Sequence, residues 1–185
     1  MGIESELKIQ VTDLVGVRER LQATDAVLVH APLRELNLLF DSRDRELSTA
    51  GRVLRLRTIG DRQLLTFKGP ARFLGRIKQR EELELELNDA VSMVAILERL
   101  GYQELLRYEK DRETWRVGAV TVTLDHTPLG DFAEIEGSET ELDRIAVLIG
   151  LDPLSAVRGS YPSLWRDYRS HHPELELPTD MVFGE

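Results

Sequence analysis

The sequence predicts an α+β fold: a mainly antiparallel sheet of about eight strands, closed into a barrel with helices packed outside. Two observations carry this expectation. Several segments alternate apolar and charged residues with a period of two, so that each strand has two unlike faces. Examples are Val53-Leu54-Arg55-Leu56-Arg57, Leu65-Thr66-Phe67-Lys68 and the run from Lys78 through Arg80, Glu82, Glu84 and Glu86 to Leu87. The polar face is also nearly all charge, grouped by sign along each strand, whereas an ordinary half-buried sheet mixes in Ser, Thr and Gln. Such a face reads as a second, charged interior. Closing the sheet gives those charges a central space, leaves no strand edge unpaired and turns the leucines outward. Charges inside a barrel are costly to desolvate, so water, ligand or ions must fill the space.

Taken in order, residues 3–11 form the first strand, with Glu4, Glu6 and Lys8 in one row. Thr12 or Asp13 caps a short helix that carries Leu14, Val17 and Leu21 on one side. Residues 27–41 are extended and lead into a turn rich in Asp, Arg and Ser. Gly51 opens the Arg55/Arg57 strand, and Gly60-Asp61 turns it into a strand over 63–68. After Gly69-Pro70 the stretch to Gly75 reads as a mobile loop, followed by a strand from Ile77. Asn88 is expected to cap a helix with Val94, Leu97 and Leu100, closed by Gly101. Strands follow over 104–117, 120–125 and 131–137, and Ser138-Glu139-Thr140-Glu141 is a capping-box pattern ahead of Leu142, Ile145, Ala146 and Ile149. Asp152-Pro153 breaks that helix, and a last one starts near Ser160 with Pro162 in its first turn. With no linker or repeat, residues 1–170 read as one domain and 171–185, with Pro173 and Pro178, as an irregular tail.

Composition narrows the function. A chain of 185 residues, 42% hydrophobic, has material for a real core. Its net charge of −9 argues against a protein that coats nucleic acid, yet basic residues converging in one cavity would still take an anion. The absence of cysteine excludes disulfides, a thiol nucleophile and a Cys-based zinc site, and His30, His126, His171 and His172 lack metal-ligand spacing. No apolar run approaches a membrane span, the acidic start does not read as a signal peptide, and Glu6 breaks the myristoylation pattern after Gly2. The expected location is the cytoplasm, without membrane or nucleic-acid partners.

The charged rows point to a chemistry. Carboxylates suit Mg²⁺ or Mn²⁺, and a lysine ammonium is a compact point charge for phosphate, so Glu4, Glu6 and Lys8 fit a metal and an anion held side by side. A solvated strand face would also alternate charges. Recurrence down the chain favours a site: Lys110 and Arg112 share a face, and Glu134 and Glu136 flank Ile135.

Together these pieces resemble the CYTH superfamily, the triphosphate tunnel metalloenzymes, which include class IV adenylate cyclases and enzymes that hydrolyse thiamine triphosphate or tripolyphosphate. The resemblance rests on Glu4-Ser5-Glu6-Leu7-Lys8, Leu54-Arg55-Leu56-Arg57, Leu65-Thr66-Phe67-Lys68-Gly69, Arg80-Glu81-Glu82-Leu83-Glu84, Lys110-Asp111-Arg112, Leu124-Asp125 and Glu134-Ile135-Glu136, in the family's order. It implies an eight-stranded antiparallel tunnel open at its ends. It further implies that Lys8, Arg55, Arg57, Lys68, Arg80, Lys110 and Arg112 line the tunnel and grip a linear triphosphate through charge-assisted hydrogen bonds. Glu4, Glu6, Glu134 and Glu136 would hold one or two Mg²⁺ or Mn²⁺ ions, with Asp125 and Glu82 either joining the metal shell or orienting basic neighbours. No Ser-His-Asp set or covalent nucleophile is in view, so catalysis would rest on positioning and electrostatic stabilisation of phosphoryl transfer.

Two reactions share this architecture. Hydrolysis of a triphosphate asks only for a grip, a metal and water, and the sequence leans that way. Cyclisation of ATP to cyclic AMP and pyrophosphate asks also for an adenine-reading element, of which the sequence has no signature. A non-catalytic module for polyphosphate or nucleotide is a third reading, disfavoured by the four carboxylates. Glu84 and Glu86 read as solvent-facing or neutralising, Trp115 and Trp165 as packing residues, and Ser160-Tyr161 equally as a family pair or as capping and packing.

Overall fold

The computed structural model describes residues 2–184, so Met1 and Glu185, at the outer bounds of the expected domain and tail, lie outside the described residues. Nine antiparallel strands form one sheet: β1 (Gly2–Val11), β2 (Val27–Ser42), β3 (Val53–Ile59), β4 (Arg62–Lys68), β5 (Arg72–Leu74), β6 (Ile77–Leu87), β7 (Tyr102–Val117), β8 (Val120–Thr127) and β9 (Gly130–Glu136). Eight of them close in the order β1-β9-β8-β7-β2-β3-β4-β6, because β6 pairs back onto β1 with Glu4 opposite Arg80 and Glu6 opposite Lys78. The ninth, β5, extends β6 outside the closed ring.

Register explains the two faces. Leu7, Ile9 and Val11 alternate with Glu4, Glu6 and Lys8, and their side chains meet Val122 and Leu124 of β8 and Ile135 of β9 in the main core. Helix α1 (Leu14–Gln22) covers this wall with Val17 and Leu21, and α4 (Glu139–Leu148) with Leu142, Ile145 and Ala146. On another wall, α3 (Ala90–Arg99) lays Ala90 and Leu97 over Phe40 and Leu56. Among the described residues no helix is long and apolar enough to cross a membrane.

A third cluster lies on the inner side. Tyr108 and Phe132 share strand faces with Lys110 and Glu134, and they pack with Tyr161 and Trp165 of α5 (Tyr161–His171) and with Met181. One end of the tunnel is therefore filled by aromatic side chains.

Several local expectations change. The cap of α3 is Asp89 rather than Asn88: Asp89 accepts from the Ser92 amide, and the Ala90 amide is taken by Gln63 of β4. Ser138 stands at the cap position of α4, but its hydroxyl meets Thr140 at 3.3 Å and makes no capping bond. The stretch read as a mobile loop holds β5, turned at Gly75 (φ +62°), whose carbonyl accepts from Arg158. A short helix α2 (Glu46–Thr49) was not expected; the Asp41 carboxylate organises it by accepting from the Ser42, Leu47 and Ser48 amides.

The tail has little regular structure, yet it belongs to the body. Where β8 and β9 leave the lower edge of β7 unpaired, Met181 bridges to Tyr108, donating to the Arg107 carbonyl at 3.0 Å and accepting from the Glu109 amide at 2.9 Å. Trp165 donates to the Pro178 and Thr179 carbonyls, and Phe183 lies between the His126 ring and the Arg34 guanidinium. Met181→Ala should lower the unfolding free energy by about 2–5 kcal/mol, the range for truncating a buried methionine. Denaturant melts check this; an unchanged midpoint and slope would mean that the tail is dispensable.

Candidate active site

The inner faces enclose a cavity of about 250 Å³. All seven predicted cations reach it: Lys8 from β1, Arg55 and Arg57 from β3, Lys68 from β4, Arg80 from β6, and Lys110 and Arg112 from β7. Glu4, Glu6, Glu134 and Glu136 line it too, with Glu82, Glu84 and Lys78 from β6. Alternation places each of these side chains, because residues two apart on a strand face the same way.

The charges meet in pairs, several of them between directly opposed positions of neighbouring strands. Lys8 donates to Glu134 at 2.5 Å, Lys78 to Glu6 at 2.6 Å, Arg57 to Glu84 at 2.9 Å, and Lys68 pairs with Glu82. Arg55 donates to Tyr108 at 3.4 Å and to Thr66 at 3.3 Å. Arg80 is more tied to the scaffold than its neighbours, since it donates to the Gly69 and Gly51 carbonyls at 2.5 and 2.8 Å and braces two turns.

Asp125 corrects one expectation. It does not line the cavity; it is fully buried, and both of its oxygens are engaged. Arg112 donates to them at 2.6 and 2.5 Å, Lys110 at 3.2 Å and the Tyr161 hydroxyl at 2.6 Å. Of the two roles open to it, orienting basic neighbours is the one these contacts favour. Glu86 sits outside with Arg62, while Glu84 faces inward as a neutralising partner. Trp115 and Trp165 pack in cores.

The sequence reading omits Glu35 and leaves Tyr161 between a family pair and a packing residue. Glu35 of β2 is buried, 3.5 Å from Lys110 and 3.6 Å from Arg57. A signal existed: Leu36, Leu38 and Phe40 alternate with Glu35, Asn37 and Leu39, which sets the inward phase of that strand. Tyr161 had none beyond its place beside Ser160, because a helix end rather than a strand brings it to the tunnel.

Electrostatics divides the carboxylates. Burial pushes Glu35 up, but Lys110, Arg112 and Arg57 outweigh it and hold its pKa at about 2. Glu134 is likewise held well below its ordinary value, as Lys8 and Arg112 overcome its burial. Glu4 goes the other way: burial, then the charges of Glu82 and Glu136, raise it to about 8. Glu136 is also raised, by burial and by Glu6, Glu82 and Glu134. Neither Glu4 nor Glu136 has a cationic partner within 4.0 Å among the described residues. Such hard oxygen donors, repelling one another, fit a divalent cation. No three of them converge as a ready-made ligand cluster among the described residues, and Mg²⁺, which keeps several waters and takes one or two carboxylates, does not require one.

Comparison with known proteins agrees with this geometry. A model of the CYTH domain matches residues 2–148. A protein of Methanocaldococcus jannaschii named as a putative adenylate cyclase is 29% identical over 143 residues, covering 76% of this chain and 80% of that protein. A similarly named protein from Vibrio parahaemolyticus has a solved structure that superposes with a TM-score of 0.76 at 24% identity, over 89% of this chain and 98% of its own. The structure of an adenylyl cyclase candidate from Hippeastrum, described as having a dominant triphosphatase activity, superposes with a TM-score of 0.69 at 17% identity, over 91% and 96% of the two chains. At those identities the two structures show a shared fold.

The raised pKa of Glu4 makes a signed prediction. Below its ordinary value of 4.5 both folded and unfolded states carry the proton; between 4.5 and about 8 only the folded state does, so stability falls as pH rises through that window. In chelating buffer, Glu4→Gln should therefore gain melting temperature relative to the parent protein between about pH 5 and pH 9. A difference that stays flat with pH would show that Glu4 ionises normally.

Proposed function

The chain belongs to the CYTH family, and on that footing we propose that its tunnel binds a linear triphosphate and hydrolyses it in a metal-dependent reaction. One observation carries the reading: seven cations predicted from the sequence, on five strands, line a single cavity of about 250 Å³, beside carboxylates that repel one another.

The residues divide the work. Lys8, Arg55, Arg57, Lys110 and Arg112 bind and orient the phosphates, whose oxygens replace carboxylate partners such as Glu84 and Glu134. Lys68 and Arg80 add charge where Glu82 and two backbone carbonyls already hold them. Glu4 and Glu136, with Glu6, Glu134 and Glu82 beside them, would hold Mg²⁺ or Mn²⁺. When bound, such an ion neutralises phosphate charge and makes a coordinated water more acidic. The aromatic end of the tunnel limits water to the open side.

Adenylate cyclase is the second reading, favoured by the names of the Methanocaldococcus and Vibrio relatives. Against it, Lys8 sits over the ring of Tyr161 in the cavity, so that aromatic face is not open to a base. The Hippeastrum protein, at fold level only, shows that this architecture admits triphosphatase activity under a cyclase name.

Incubation with tripolyphosphate, thiamine triphosphate or ATP, plus Mg²⁺ or Mn²⁺, should release orthophosphate. Cyclic AMP and pyrophosphate as the main products would overturn hydrolysis in favour of cyclisation, and tight binding without any product would indicate a binding module. Arg57→Ala should weaken triphosphate binding by about 1–3 kcal/mol with little change in melting temperature, because burial and Arg55 disfavour the Arg57 charge while Glu35 and Glu84 favour it. Normal binding with an early melt would make Arg57 structural.

A further inference from the structure

We propose that Tyr161 is a positioning residue that aligns three cations of the tunnel, Lys8, Lys110 and Arg112, and so sets the strength of its grip on a triphosphate. The inference rests on the triphosphate reading only for the ligand; the alignment itself is a property of the free protein.

Two separate contacts lead from this one side chain. Its hydroxyl donates to Asp125 at 2.6 Å, on the same oxygen that receives Lys110 at 3.2 Å and Arg112 at 2.5 Å. Asp125 is fully buried, so no water can substitute for the hydroxyl without rearrangement. A buried carboxylate with one fewer donor can pivot, and the guanidinium paired with it would pivot too. The ring acts independently. Lys8 sits 3.6 Å above its centroid and Lys110 lies 5.2 Å away, distances at which the ring's negative face attracts an ammonium. That face fixes where each lysine stands while leaving its other N–H groups for Glu134, Glu35 or an anion.

The tyrosine is itself rigidly held. It opens α5, where Ser160 and Ser163 form a reciprocal capping box, and Phe132 meets its ring edge-on at 5.2 Å. Burial and the neighbouring Asp125 and Glu134 charges keep the phenol protonated, hence a donor. The residue acts through the cations it aligns.

Two variants separate the hydroxyl from the ring. In Tyr161→Phe the ring-current shift that the aromatic face imposes on the Lys8 side-chain protons should persist, while exchange of the Arg112 Nε–H, followed in ¹⁵N-arginine-labelled protein, should accelerate. Tripolyphosphate affinity, measured by calorimetry without metal, should fall roughly tenfold, as expected for one hydrogen bond to a charged partner. In Tyr161→Leu the Lys8 shift should vanish as well, and affinity should fall further. If both variants melt earlier but leave the Arg112 exchange rate and the affinity unchanged, Tyr161 only packs the tunnel end and the proposal fails. If the parent protein does not bind tripolyphosphate while the Arg112 and Lys8 signatures still change as stated, the alignment stands and the triphosphate reading falls.

Discussion

Lysine and arginine can be held inside a closed sheet only where something opposes their charge, and that requirement governs this molecule. Lys8 meets Glu134, Arg112 meets Asp125 and Glu134, and Lys110 meets Asp125 and Glu35. Burying a charge with nothing to oppose it costs several kcal/mol, so each of these partners is as much a condition of folding as a leucine in the outer core. The opposition is nevertheless uneven. Cations on β7 are matched by deeply held carboxylates, whereas Glu4 and Glu136 repel one another and have no cation within 4.0 Å among the described residues, Lys68 acting on both from farther away. One region is settled by the protein's own charges, the other by what it binds.

The outer layers follow from the same closure. Because charged residues turn inward, every second residue must find apolar company outside, and α1 and α4 provide it on one wall and α3 on another. The inner aromatic cluster is the exception: Tyr108, Phe132, Tyr161, Trp165 and Met181 form an apolar mass where the charged rows stop. It gives the tunnel a floor and joins the last helix and the tail to the strands carrying the cations.

Strand faces were legible in the sequence because a period of two is a local property. Arg55 and Arg57, or Glu134 and Glu136, needed only their immediate neighbours to be placed, and closure of the sheet then brought the rows together. Glu35 was legible in the same way through Leu36, Leu38 and Phe40, but a single carboxylate in a long extended stretch makes a faint row. Tyr161 was legible only as half of a Ser160-Tyr161 pair with two readings, and Met181 not at all as the residue that ties the tail to β7. Their positions depend on how a helix and an irregular strap fill the barrel end, which no short window of sequence encodes. Asp89 superseded Asn88 for a nearby reason: either can cap, and Gln63 on a distant strand fixed where the first turn begins. Asp125 could be assigned two roles from sequence, and three donors meeting on it decided between them.

The aromatic floor has a kinetic consequence. A channel open at both ends lets a reactant enter from one side and fragments depart from the other, but a cul-de-sac forces all traffic through one door. Whatever is deepest must wait for whatever lies above it, so the sequence of departures is fixed by depth rather than by affinity alone. A fragment that lingers near the entrance then blocks both the exit of its sibling and the arrival of the next molecule. In such a chamber exchange with solvent depends on the residues at the threshold as much as on those that grip.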